Sequence, residues 1–136
     1  MRNQFSSPLP SFELAKNLKQ LIVSWNQLSG LSNLVYLDLS NNSMSGSIPR
    51  SLFSIPSMQK LQLQQNRFSG QLADSLEVVS RVIDTIDMSD NELEGSIPES
   101  FFGLRGLKTL TLSFNKFNGS LSLNLLKQLK HLSALD

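Results

Sequence analysis

Leu37-Asp38-Leu39-Ser40-Asn41-Asn42-Ser43-Met44-Ser45-Gly46-Ser47-Ile48-Pro49 returns later in the chain as Ile86-Asp87-Met88-Ser89-Asp90-Asn91-Glu92-Leu93-Glu94-Gly95-Ser96-Ile97-Pro98. The apolar residues exchange only with one another, while the aspartate, serine, second asparagine, glycine and Ile-Pro keep their places. Working outward, the same asparagine recurs as Asn3, Asn26, Asn42, Asn66, Asn91 and Asn115, at steps of 23, 16, 24, 25 and 24 residues. Self-similarity at such a period is the signature of a solenoid, in which each repeat is one coil stacked on the next. Stacked coils present extended surfaces for holding other molecules.

Aligned on the asparagine, each coil carries an apolar row: Leu34-x-x-Leu37-x-Leu39, Met58-x-x-Leu61-x-Leu63, Ile83-x-x-Ile86-x-Met88 and Leu107-x-x-Leu110-x-Leu112. The closing apolar-x-apolar step is strand alternation, with one face on a core and the other toward water. Two positions after the asparagine stands another apolar residue (Phe5, Leu28, Met44, Phe68, Leu93, Phe117), followed in most coils by glycine (Gly30, Gly46, Gly70, Gly95, Gly119). Glycine there suits a positive φ or a close approach to the next coil, and the prolines Pro49 and Pro98 stop the strand and fix the bend. No coil can bury its apolar row alone, so the expectation is a single α/β solenoid over residues 1–136, a right-handed horseshoe segment of about five coils with partial repeats at each end. Its strands form one parallel sheet on the concave face, and an irregular, 3-10 or short helical return leg runs along the convex side. The asparagines fall inside the turn, where a side-chain amide bonds to the backbone of its own and the neighbouring coil, because a buried amide without partners costs ~1–3 kcal/mol. The step from Asn26 to Asn42 lacks the Ile-Pro element, so a short, irregular coil is expected at 26–42, with a fault between Ser29 and Leu34.

Composition narrows the function classes. The net charge is +1 with 17% charged residues, so no strong field draws nucleic acid or an anionic membrane. There is no cysteine and one histidine, His131, which supplies neither a nucleophilic triad nor a metal cluster. The glycines lie a repeat apart rather than in a phosphate loop, and Asp38, Asp87 and Asp90 lie on an open sheet without an apolar pocket to raise a carboxyl pKa. The expectation is a binding chain that is not an enzyme, takes no cofactor or metal, and makes no membrane contact of its own.

The frame L-x-x-L-x-x-L-x-L-x-x-N-x-L-x-G-x-I-P resembles the plant extracellular leucine-rich repeat. The stretches from Ile83 to Gly95, from Leu104 to Leu110 and from Phe117 to Leu121 are similar to receptor-like proteins of the Verticillium wilt resistance type. The resemblance implies an ectodomain segment at the extracellular side of the plasma membrane. It would perceive a protein, peptide or glycan ligand, microbial or endogenous, and signal through a partner receptor kinase in defence. Signal peptide, membrane helix and the cysteine-bearing caps of that family are not among residues 1–136, so the chain reads as an internal fragment, uncapped at both ends. Two alternatives share the repeat: a secreted inhibitor of a microbial cell-wall hydrolase, of the polygalacturonase-inhibiting type, and a truncated gene copy without function.

Binding surfaces favour aromatic and charged anchors, and the outward positions of the sheet offer Trp25, Tyr36, Lys60, Asp87 and Phe114 as ligand-binding candidates. Asp87 also belongs to a recurring Asp-x-Ser frame, for which a structural role is the plainer reading. Two N-x-[ST] acceptors, Asn41-Asn42-Ser43 and Asn118-Gly119-Ser120, make Asn41 and Asn118 the glycosylation candidates.

Overall fold

Short strands follow from the short apolar-x-apolar step, and each is ended by the turn chemistry behind it. The computed structural model describes residues 20–21, 34–48, 50–74, 82–120, 126–127, 131 and 133–135. The strands are β1 (Gln20–Leu21), β2 (Tyr36–Asp38), β3 (Ser45–Gly46), β4 (Lys60–Gln62), β5 (Arg67–Gln71), β6 (Thr85–Asp87), β7 (Glu92–Gly95), β8 (Thr109–Thr111), β9 (Lys116–Phe117) and β10 (Ala134–Leu135). Two 3-10 helices, Arg50–Ser54 and Glu99–Gly103, lie on the return legs behind the Ile-Pro positions.

A six-stranded parallel sheet runs in the order β1-β2-β4-β6-β8-β10. Leu37 pairs with Leu61, Leu61 with Ile86 and Ile86 with Leu110, so one repeat position stacks on itself from coil to coil. These residues form one buried column, flanked by the columns Leu34–Met58–Ile83–Leu107 and Leu39–Leu63–Met88–Leu112. The residues between them point away from the core, as the period of two requires. This is a leucine-rich repeat solenoid segment.

The asparagine sits where this sheet ends, and its amide ties three chain segments. Asn91 Nδ2 donates to Met88 O (3.2 Å) and Ser89 O (3.0 Å) in its own coil and to Leu63 O (3.0 Å) in the coil before. Its Oδ1 accepts the Phe68 amide at 3.0 Å. Asn66 and Asn115 repeat the pattern, accepting from Met44 N and Leu93 N and reaching back to Leu39 O and Met88 O. Asn42 bonds Leu39 O and Ser40 O of its own coil. Asn3 and Asn26 lie outside the described residues.

Three expectations meet corrections or refinements. The segment after the asparagine is more than a turn: β3, β5, β7 and β9 form a second parallel sheet in that order. In β7 the alternation matches that of the first sheet, Glu92–Gly95 showing exposed, buried, exposed, buried. Positive φ is found at Gly46, Gly70, Gly95 and Gly119, and again at the residue before each ladder asparagine: Asn41 (55°), Gln65 (57°), Asp90 (52°) and Phe114 (54°). The short coil leaves the sheet intact. Gln20 pairs with Tyr36 and Leu21 with Leu37, the repeat positions used by every later pair. Ladder pairing needs only the strand positions to meet, and those survive the missing Ile-Pro element. The segment expected to carry the fault, between Ser29 and Leu34, lies almost wholly outside the described residues.

Candidate functional site

The outward positions of the six-stranded sheet make an open face built of three rows. Backbone pairing places Tyr36, Lys60, Thr85 and Thr109 side by side, and Asp38, Gln62, Asp87 and Thr111 beside them. The third row is Asn41, Gln65, Asp90 and Phe114, joined through Asn41 N to Gln64 O (3.0 Å), Asn66 N to Asp90 O (3.2 Å) and Asn91 N to Phe114 O (3.2 Å). All four residues of that row are exposed.

One polar cluster links two coils of the face. The Tyr36 hydroxyl is within bonding distance of Asp38 Oδ2 (3.3 Å) and of Gln62 Oε1. Asp38 Oδ1 accepts from Ser40 N (2.9 Å) and Ser40 Oγ (2.6 Å), and Asp87 Oδ1 does the same for Ser89 N (3.0 Å) and Oγ (2.7 Å). One oxygen of each aspartate therefore holds the turn into the ladder asparagine, and the other remains for the face. Gln64 Oε1 is buried without a hydrogen-bond partner among the described residues.

The Tyr36 phenol is held above its ordinary pKa, first by partial withdrawal from water, then by the charge of the Asp38 carboxylate and its hydrogen bond to the phenol. The unfolded chain therefore loses this proton first as pH rises past about 10, while the folded chain still holds it. Stability from this group is complete below that pH and declines as pH climbs through the folded value. Tyr36→Phe is expected to flatten that decline, read as the urea midpoint followed from about pH 8 to pH 11.

Of the ligand-binding candidates, Tyr36, Lys60 and Asp87 share the open face, Phe114 stands in the marginal row, and Trp25 lies outside the described residues. Sequence reading missed Gln62 as the partner of Tyr36, which is 26 residues away along the chain. Asp90 and Phe114 hold one position in adjacent coils, as the alignment on Asn91 and Asn115 implies. Asn41 and Asn118 are exposed, and Asn118 N donates to Gly95 O at 2.9 Å. Among the described residues no group of three or more His, Cys, Asp or Glu side chains could hold a metal ion. No helix among them is long and apolar enough to cross a membrane.

Phe114 is a poor fit to its own backbone. A bulky residue in the left-handed region is strained, by roughly 1–2 kcal/mol relative to the right-handed one, and a ring 79% exposed recovers little of that by burial. Asparagine tolerates this conformation, so Phe114→Asn is expected to raise stability by about 1 kcal/mol. Chemical denaturation measures it, and a lowered midpoint would show that the ring contributes to the fold.

Comparison with known proteins places the repeat. The sequence profile described as Leucine rich repeat matches residues 11–68, and a second leucine-rich repeat profile matches residues 83–104. The chain is 48% identical over 50 residues to the calmodulin-binding receptor kinase CaMRLK of Arabidopsis thaliana, covering 37% of this chain and 8% of that protein. It is 49% identical over 45 residues to Receptor like protein 23 of Arabidopsis thaliana, covering 33% of this chain and 5% of that protein. The ectodomain of the Arabidopsis receptor kinase HAESA, solved with an N-terminally extended IDA peptide hormone ligand, aligns with TM-score 0.71 and 35% identity over 79% of this chain and 18% of that one. The matched parts are thus a small share of each relative's length. The chain carries leucine-rich repeats and is homologous to the receptor-like proteins and receptor kinases of Arabidopsis thaliana.

Proposed function

We propose that the chain is a ligand-recognition segment of a plant cell-surface receptor-like protein, of the Verticillium wilt resistance type, acting in defence against pathogens. It lies on the extracellular side of the plasma membrane, performs no catalysis, and binds a protein, peptide or glycan on the concave face of its long sheet. A receptor kinase partner carries the signal inward. The observation that supports this best is the open face itself: a row of strands paired from coil to coil whose outward side chains are polar, with Lys60 exposed and Tyr36 and Asp87 half-buried on the same face. Relatives that share the repeat are receptor kinases and receptor-like proteins, and one structural neighbour was solved with a peptide hormone.

The test expresses the chain, together with the coding sequence that flanks it in its gene, in leaves and applies culture filtrate of a vascular wilt fungus. A burst of reactive oxygen is expected, and it is expected to fall about tenfold in a Tyr36→Ala/Lys60→Ala double variant present at the same surface level. No burst above the untransformed leaf sinks the defence reading, and an equal burst from the variant removes Tyr36 and Lys60 from the ligand surface. Inhibition of fungal polygalacturonase by the same product without a burst would transfer the function to the secreted inhibitor.

A further inference from the structure

Asp90 and Phe114 occupy one repeat position in adjacent coils, with φ of 52° and 54°. Asp90 N donates to Ser113 O at 3.0 Å and Asn91 N to Phe114 O at 3.2 Å, so their backbones run side by side about 5 Å apart. Two neighbouring residues with the same backbone conformation send their side chains the same way. The carboxylate and the ring therefore stand next to each other at the margin of the open face. Both are exposed, and at 79% the Phe114 ring is the most exposed large apolar side chain among the described residues.

The charges around this pair are unevenly satisfied. Asp84 is held by Lys108 at 3.4 Å and Glu92 by Lys116 at 3.1 Å. Among the described residues, neither Asp87 nor Asp90 has an ion-pair partner. Asp87 commits Oδ1 to the Ser89 turn, leaving Oδ2 facing outward three residues before Asp90. An exposed aromatic ring thus stands beside the Asp90 carboxylate, with Asp87 three residues before it on the same face and neither acid in an ion pair among the described residues.

We infer that Phe114, Asp90 and Asp87 form a subsite for a basic side chain, arginine foremost, of an extended peptide lying across the coils. This rests on the reading of the open face as the ligand surface. A guanidinium stacks its plane on an aromatic ring while its N–H groups donate to carboxylates, and its aliphatic stem covers the ring's apolar area. A lysine ammonium meets the charge but not the plane. An acidic ligand such as a pectic fragment is repelled by both aspartates, and a neutral sugar leaves them without a cation. Phenylalanine is strained and unburied at this position, so packing does not account for it.

The chain displayed on yeast is sorted against a random heptapeptide library, with display level as the control for folding. Peptides carrying arginine are expected to be enriched, and their affinity to fall about tenfold when citrulline replaces the arginine. The same loss of about tenfold is expected on Asp90→Asn and on Phe114→Asn, whose new side chains suit the left-handed backbone and leave display unchanged. Arginine peptides that bind both variants as they bind the parent chain overturn the subsite. Enrichment of peptides without basic residues, lost on Tyr36→Ala or Lys60→Ala, overturns the subsite and leaves the ligand face standing. No enrichment above cells displaying nothing overturns both.

Discussion

Phe101→Ala is expected to lower the stability of the chain by about 4 kcal/mol, because truncating a fully buried phenylalanine removes its transfer energy and leaves a cavity. The site offers little room to collapse. Phe101 is 0% exposed, and its ring meets Phe53, on the return leg two coils before its own, edge-on, with centroids 5.0 Å apart and planes at 67°. Such an edge-to-face pair adds about 0.5–1.5 kcal/mol beyond area burial. The 3-10 helix that carries Phe101 is only five residues long, bounded by the bonds Phe101 N to Pro98 O and Leu104 N to Phe101 O, both 3.1 Å. Its position therefore depends on what its rings bury. The ring contact joins the return legs on either side of the intervening coil, so its loss loosens both while the strands remain paired. Urea unfolding is expected to show a lower midpoint and a broader transition. By contrast, removing the exposed Lys116–Glu92 contact changes stability by about 0.5 kcal/mol or less. A Phe101→Ala chain no weaker than a Lys116→Ala chain would contradict this division of stability between rings and surface charges.

The long sheet was legible because its signal is redundant: Leu37, Leu61, Ile86 and Leu110 stand at one step from the asparagine, and each is paired with the next. The second sheet was missed for a reason visible at Glu92-Leu93-Glu94-Gly95. One buried leucine between two charged residues reads as a turn, and only pairing with the strand of the next coil makes it a rung. Left-handed backbone was read at the glycines, whose lack of a Cβ announces it. Asn41 and Asp90 gave half a signal at the other left-handed row, since both residue types tolerate that region; Gln65 and Phe114 gave none. Tertiary hydrogen bonds to the next coil impose the conformation there whatever the side chain. The Tyr36–Gln62 contact is of the same kind, set by coil stacking that no local pattern encodes. Trp25 cannot be weighed with them, since it lies outside the described residues.

Asn91→Ala is expected to cost about 3 kcal/mol, at the upper end of what leaving buried polar groups unsatisfied takes. Three carbonyls, Leu63 O, Met88 O and Ser89 O, lose the Nδ2 donor, and the Phe68 amide loses its side-chain acceptor, at a residue only 8% exposed. Asn42 is the internal control. It is less buried, bonds two carbonyls of its own coil, and its Oδ1 has no partner among the described residues, so Asn42→Ala is expected to cost about 1 kcal/mol. Asn91→Asp separates donor loss from packing loss, since it is nearly isosteric. An ionised carboxylate there would face the three carbonyl oxygens in a site poor in water, so its folded pKa would lie above the unfolded one. A raised carboxyl pKa gives stability that is whole below the unfolded value and declines as pH rises through the folded one. Asn91→Asp should therefore be closest to the parent chain in acid and fall furthest behind it near neutral pH, as thermal melts across that range would record. Equal losses at positions 42 and 91, or an Asn91→Asp deficit indifferent to pH, would mean that the amide spans no coil boundary and that apolar columns alone hold the stack.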